Sequence, residues 1–96
     1  MKLLWTAAAI SQLQAIHDYH AKVAPSYAKR IVDRITKRSK QISTFPYSGR
    51  IVPEYELPEV RQIIEDRYRI IYLIKDERIE VLSVIHTSRD KLNPLA

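Results

Sequence analysis

The chain of 96 residues contains no cysteine and a single glycine. The absence of cysteine excludes disulfides, thiolate catalysis and cysteine-based zinc sites, and one glycine cannot form a glycine-rich phosphate-binding loop. No apolar run approaches the ~20 residues that span a bilayer. The apolar N-terminal stretch is interrupted at Thr6 and continues into a periodic amphipathic pattern, so we interpret it as mature protein and not as a signal peptide. We expect one soluble, cytoplasmic domain over residues 1–96, with no contact to a membrane.

Basic side chains are concentrated in the first half of the chain, although the net charge of the whole is only +5. Residues 1–48 carry eight lysines and arginines against two aspartates, whereas residues 49–96 carry eight basic and nine acidic side chains. Most of the excess lies in residues 22–40. Such a segment favours an acidic partner (nucleic acid, a membrane surface or an acidic protein), or it forms the solvated face of a helix. Both interpretations stay open.

Two amphipathic helices are predicted in this half. The first covers residues 7–23 behind a candidate N-cap at Thr6, and the second begins at Pro25 or just after it, because proline is tolerated in a first helical turn. Almost nothing joins the two helices, so we expect an antiparallel hairpin. The apolar positions predicted to face the core are Ile10, Leu13, Ile16, His20 and Val23 in the first helix and Ala28, Ile31, Val32, Ile35 and Ile42 in the second.

The last third of the chain changes to the composition of strands, rich in isoleucine, valine and tyrosine. We predict strands at 3–5, 60–65, 68–75 and 79–86, turns at 66–67 and 76–78, a loop over 45–59 and a frayed tail at 90–96. The predicted fold is α+β, with a short N-terminal strand and an antiparallel helix hairpin packed on a small antiparallel β-sheet.

Both faces of this sheet are predicted to be apolar. In one strand Tyr68, Ile70, Tyr72 and Ile74 share a face and Arg69, Ile71 and Leu73 share the other; in the next, Ile79, Val81 and Ile85 oppose Leu82 and Val84. The helix hairpin suffices to cover one face only. Either the second face curls on itself or a partner covers it.

Four segments in register resemble one known family. They are FPYSGRIVPE at 45–54, VRQII at 60–64, YRIIY at 68–72 and VLSVIHTSR at 81–89. These segments look like motifs of the RelE/ParE toxin superfamily, and the GRIVPE portion is more characteristic of its ParE-like members. The helix hairpin with Trp5 and Pro25 also fits, so the resemblance covers nearly the whole chain.

This resemblance implies the toxin of a type II toxin–antitoxin pair. RelE-like members enter the ribosome and cleave messenger RNA, whereas ParE-like members inhibit DNA gyrase and serve in plasmid stabilisation. The implied partner is a cognate antitoxin whose C-terminal segment wraps the toxin, with operator DNA reached only through the antitoxin. The resemblance implies no cofactor.

The resemblance also bears on catalysis. Arg69 and Arg89 match arginines used in RelE-like cleavage, but Val60 and Gln62 stand where such enzymes have lysines, and Leu95 stands in place of a late tyrosine. These departures weaken the nuclease hypothesis.

His86 could substitute as a general acid, because its unperturbed pKa of ~6.5 suits that role. If the protein is a nuclease, the candidate catalytic residues are therefore Arg69, His86 and Arg89. The alternative for His86 is a half-buried polar residue at the end of a strand.

Binding to the target or to the antitoxin is assigned to the uncovered sheet face and the arginines around it, namely Arg61, Arg69, Ile71, Leu73 and Arg89. Arg69 and Arg89 are expected at strand ends, where their charged heads reach water. The structural alternative for Arg61 and Arg69 is an ion pair with a carboxylate such as Glu65 or Glu80.

No metal site is expected. His17 and His20 lie three residues apart on a helix but lack a third ligand, so core packing is the better explanation. The loop carboxylates Glu54, Glu56 and Glu59 have no ligand spacing and are interpreted as solvated.

The leading hypothesis is a ParE-like toxin that inhibits gyrase by binding. The alternatives are a ribosome-dependent endoribonuclease and a degenerate, inactive member.

Overall fold

The computed structural model describes residues 1–88. Its elements are β1 (Lys2–Trp5), α1 (Ala7–Ala21), α2 (Pro25–Thr44), a 3-10 turn (Pro46–Ser48), β2 (Arg50–Ile51), β3 (Val60–Glu65), β4 (Tyr68–Ile74) and β5 (Arg78–His86). The helices pack on one face of a five-stranded sheet of order β1-β5-β4-β3-β2. The predicted α+β fold is confirmed. The predicted tail at 90–96 lies outside the described residues.

The sheet is mixed, and this corrects the antiparallel sheet expected from the sequence. β1 pairs with β5 in parallel, while the other neighbours are antiparallel. A parallel pair needs a long crossover connection, and the helices together with β2 to β4 supply it. The short β2, which pairs with β3, lies in the segment predicted as a loop. Its two residues give too little pattern for a strand to be predicted from the sequence.

Thr6 fixes the start of α1 and ties it to the sheet. Its hydroxyl accepts a hydrogen bond from the Ala9 amide at 3.1 Å and donates one to the Val81 carbonyl at 2.9 Å. A side-chain N-cap of this kind stabilises a helix by ~1 kcal/mol. The predicted cap is confirmed, and the same hydroxyl positions α1 over β5.

The buried face of α1 differs from the predicted one. Ala9 and Ile16 are buried, whereas Ile10 is 56% exposed and Val23, beyond the end of the helix, is 90% exposed. Ile10 lies one position, about 100°, away from Ala9 around the helix. Ala9 faces the sheet, and its small side chain permits a close approach of α1 to the sheet. The expectation that Ile10 and Val23 face the core is wrong.

In α2 four of the five predicted core positions are fully buried, and the fifth, Val32, is partly buried against the same core. Ala28, Ile31, Ile35 and Ile42 are fully buried, and the helix begins with Pro25 in its first turn. Residues 1–88 contain no helix that combines the length and the apolar character needed to cross a membrane.

A β-bulge in β5 changes which side chains face the helices. Ile71 pairs with Ser83, but its neighbour Tyr72 pairs with Val81, so one extra residue is inserted in β5 at Leu82. Val84 consequently joins the core under the helices, while Ile85 joins the opposite face. This reverses the faces predicted for Val84 and Ile85.

Tyr72 connects the first sequence motif to the sheet. Its hydroxyl donates to the Pro46 carbonyl at 2.6 Å and accepts from the Gly49 amide at 3.1 Å, and burial raises the pKa of Tyr72. A Cβ on Gly49 would clash with that hydroxyl and would lie 2.7 Å from the Gln62 carbonyl oxygen. Only glycine allows this approach, and the approach fixes where the following loop begins.

That loop covers part of the second face of the sheet. Val52, at the start of the loop, and Val60, the first residue of β3, are buried against Ile71 and Ile85. Tyr55 and Leu73 pack around them. The sequence left open whether the chain itself or a partner covers this face. Over β4 the chain itself covers it. We refer to residues 52–59 as the covering loop.

Candidate functional site

Arg69 is held on the covered face of the sheet by two side chains. Its Nη1 and Nη2 donate to the two carboxylate oxygens of Glu54 at 3.1 and 3.2 Å, and its Nε donates to Gln62 Oε1 at 2.7 Å. The Arg69 guanidinium, as the leading cause, lowers the pKa of Glu54. Only 8% of Arg69 is exposed. Its charged head does not reach water as expected, because the covering loop brings Glu54 onto it.

Arg61 stabilises the same loop through backbone contacts. Its Nε donates to the Pro58 carbonyl at 2.8 Å and its Nη1 to the Gly49 carbonyl at 3.0 Å, while the guanidinium lies 5.1 Å from the Tyr47 ring centre. Arg61 and Arg69 therefore hold the covering loop at different points.

The carboxylates suggested as partners for these arginines pair elsewhere. Glu65 lies 3.9 Å from Arg38, and Glu80 contacts Lys75 at 3.3 Å and Arg78 at 3.0 Å. The ion pair expected as the structural alternative for Arg69 is therefore confirmed, but its partner is Glu54 and neither Glu65 nor Glu80. Likewise Glu54, interpreted as solvated, is an ion-pair partner.

The apolar residues assigned to partner binding are unequally accessible. Ile71 is 2% exposed beneath the covering loop, and Leu73 is half-buried. Ile64, which the sequence analysis did not select, pairs with Arg69 across the sheet and is 47% exposed. It provides accessible apolar surface on this face.

His86 lies at the end of β5, on the side of the helices. Its Nδ1 accepts from the Ser88 amide at 3.0 Å and lies 2.7 Å from the Ser88 hydroxyl, and its ring packs edge-on against Tyr68 at 5.4 Å. The expectation of a half-buried polar residue agrees with this position.

An open groove of about 820 Å³ runs beside His86, between α1, the start of α2 and the turn after β3. Within it His20 Nε2 forms a 2.8 Å hydrogen bond with the Tyr68 hydroxyl, and Tyr19 and Tyr27 pack edge-on against the His20 ring at 5.1 and 5.0 Å. Burial raises the pKa of Tyr68. Sequence spacing did not reveal this cluster, because its members come from three separate elements, α1, α2 and β4.

His17 points away from this cluster and contacts the exposed Asp18 carboxylate at 3.2 Å. In the described part of the chain, no three histidine or acidic side chains converge as metal ligands would.

Arg69 and His86 lie on opposite faces of the sheet. Arg69 shares a face with Ile71 under the covering loop, whereas His86 contacts Tyr68, which belongs to the core under the helices. The structure therefore does not bring these two catalytic candidates together. Arg89 and Leu95 lie outside the described residues, and the role of Arg89 stays a prediction.

Comparisons with known proteins identify a family with this architecture, a helix hairpin on a five-stranded mixed sheet. Residues 3–91 match the family model described as the ParE toxin of the type II toxin-antitoxin system parDE. Toxin RelE2 of Caulobacter vibrioides is 26% identical over 88 residues, which are 92% of this chain and 97% of that protein.

Solved structures give the same result. A chain of the chromosomal ParDE toxin–antitoxin system from P. aeruginosa has a TM-score of 0.76 and 26% identity, covering 90% of this chain and 95% of that one. A YoeB/ParE toxin from Agrobacterium tumefaciens has a TM-score of 0.63 and 17% identity, covering 90% and 98%, and it supports the fold alone. This chain belongs to the ParE toxin family of type II toxin–antitoxin systems. Membership implies a cognate antitoxin as partner.

Proposed function

We propose that this toxin acts by binding DNA gyrase and inhibiting it, and that a cognate antitoxin neutralises it. The observation that carries the proposal is the separation of Arg69 and His86 on opposite sheet faces. RNA cleavage through the 2′-hydroxyl needs groups that move protons and stabilise the phosphate at one place. Two groups on opposite faces cannot act together on one phosphodiester.

The surroundings of Arg69 support the same proposal. Glu54 neutralises its charge with two hydrogen bonds, and Gln62 occupies its remaining side. Val60 and Gln62, which stand in place of lysines, are buried. A phosphate that approached this face would meet an arginine already paired, so its attraction would be weak.

The binding surface is proposed on the same sheet face. Ile64 is its accessible apolar side chain, Leu73 is partly accessible, and Ile71 supports the covering loop from beneath. Arg61 and Arg69 act by fixing the loop that borders this surface. Arg89 remains a proposed contact. Gyrase as a target implies action in the cytoplasm.

Two reactions with purified protein test the proposal. We expect inhibition in a gyrase supercoiling assay and no messenger cuts in a coupled translation reaction. In cells, induction should produce DNA-damage signalling and filamentation before protein synthesis falls. A fall in methionine incorporation within minutes, before any DNA-damage response, would overturn the proposal.

A ribosome-dependent endoribonuclease is the second candidate. The position of His86 on the open groove favours it, and so does the similarity to a protein named Toxin RelE2. It predicts messenger cuts at the ribosomal A site that disappear when His86 is replaced. A degenerate toxin predicts no effect in either reaction.

A further inference from the structure

The solvent-facing side of α2 carries a group of cations that the proposed function does not use. α2 contains six lysines and arginines and one acid, Asp33. Arg34 and Arg38 face carboxylates at 3.6 and 3.9 Å. The other four, which we call the α2 basic face, form no ion pair within residues 1–88; they are Lys29, Arg30, Lys37 and Lys40.

These four side chains project from the same side of α2. All of them are exposed, and at about 100° per residue they fall within an arc of about 100°, opposite the buried Ile31 and Ile35. Lys29 and Lys40 are about 16 Å apart along the axis at the usual helical rise. Asp33, also exposed, lies within the same arc.

We propose that the α2 basic face binds the phosphate backbone of duplex DNA without reading its sequence. A duplex presents one negative charge per ~1.7 Å of axis, so about ten phosphates lie within reach of this length of helix. Three of the four cations are lysines, whose ammonium groups act as point charges toward phosphate. The cations are therefore opposite in charge to the phosphates, and more phosphates than cations lie within this length.

The lack of exposed large apolar side chains on α2 favours duplex DNA over other polyanions. Single-stranded nucleic acid is bound by exposed aromatic platforms, and a protein interface needs apolar or aromatic anchors. Between Pro25 and Thr44, no large hydrophobic side chain is exposed. The antitoxin would still be the route to a particular operator sequence, and α2 would add contacts that do not depend on sequence.

The test is fluorescence anisotropy with a short DNA duplex of arbitrary sequence, titrated at several salt concentrations. Four phosphate contacts predict a slope of log K against log salt of about −3.6, and thus on the order of a 10²-fold loss of affinity between about 50 and 200 mM salt. The variant Lys29→Gln, Lys37→Gln, Lys40→Gln should reduce the slope to about −0.9.

A matched control removes the same charge elsewhere. Lys2, Arg50 and Arg67 are exposed and form no ion pair within residues 1–88, and their replacement by glutamine should leave the slope nearly unchanged. Asp33→Asn should tighten binding by roughly two- to fivefold, because it removes a like charge to phosphate.

Three outcomes would overturn the proposal. One is an equal loss of affinity in the control, which would make binding a property of net charge alone. Another is displacement of DNA by polyglutamate at lower charge concentration than by competitor DNA, which would assign the face to an acidic protein. The third is tighter binding of duplex RNA than of duplex DNA.

Discussion

The guanidinium of Arg69 and the carboxylate of Glu54 are joined by two hydrogen bonds, of 3.1 and 3.2 Å. The pair connects β4 to the covering loop; the Arg69 side chain is 10% exposed and the Glu54 side chain 26% exposed. Glu54 is the last residue of the motif at 45–54 and Arg69 belongs to the motif at 68–72, so the pair connects these two motifs. The arginine expected to meet RNA is thereby occupied by the chain itself.

Glu54→Gln should destabilise the protein, because it leaves a buried guanidinium without its counter-charge. A hydrogen bond to a charged group contributes ~1.5–3 kcal/mol to stability. We therefore expect the substitution to lower the free energy of unfolding by about 1–3 kcal/mol, measured by urea denaturation. Glu59→Gln is the control, since Glu59 is exposed and forms no ion pair in residues 1–88. Equal stability of the two variants would contradict a structural role of the pair.

The same pair predicts a pH dependence. The pKa of Glu54 is lower in the folded protein than in the unfolded chain, so its contribution is complete above the unfolded value of ~4.3 and is lost as pH falls through the lower folded value. The difference in unfolding free energy between wild type and Glu54→Gln should therefore shrink below about pH 4. A difference that stays constant down to low pH would exclude the ionised carboxylate as its source.

Gly49→Ala should destabilise the protein by about 1–3 kcal/mol, because overpacking forces neighbours to shift. The new methyl group would meet the Tyr72 hydroxyl and the Gln62 carbonyl. Ser48→Ala, at an exposed neighbour, serves as control. When Gly49→Ala is combined with Tyr72→Phe, the loss of stability in thermal unfolding should be smaller than the sum of the two single losses. The reason is that Tyr72→Phe removes the hydroxyl oxygen, one of the atoms with which the new methyl group would clash. Strict additivity would contradict the packing described.

Ile64→Glu should weaken binding of the antitoxin or of gyrase, because it places a charge on the accessible apolar part of the sheet face. Calorimetry with the wild type should show a negative heat-capacity change, the sign of apolar burial. Ile10→Glu is the matched control, at a side chain of similar exposure on the outer face of α1. Unchanged affinity for Ile64→Glu would move the binding surface elsewhere.

His86→Gln should leave growth arrest unchanged, because a toxin that acts by binding needs no proton transfer from this side chain. A nuclease would instead lose ~10²–10⁴-fold in rate on removal of its general acid. The measurement is survival of cells after induction at matched toxin levels. Loss of toxicity with the fold intact by circular dichroism would favour the nuclease.

Much of the fold follows from local sequence. Thr6 and Pro25 mark the starts of the helices, because capping and a fixed proline backbone act within one helical turn. The strands at 60–65 and 68–74 follow from β-branched and tyrosine side chains. The family, and with it the antitoxin, is recognisable from four motifs in register.

The site depended on tertiary structure. Glu54 reaches Arg69 only because Gly49 and Tyr72 fix the path of the covering loop. Strict alternation from Val81 would place His86 on the face of Arg69, but the extra residue at Leu82 reverses the order and moves His86 to the side of Tyr68. A bulge depends on how two strands register against each other, and no single strand encodes it. The sequence by itself determined the helices, the longer strands and the family, and the packing of loop and strands decided which charged groups meet.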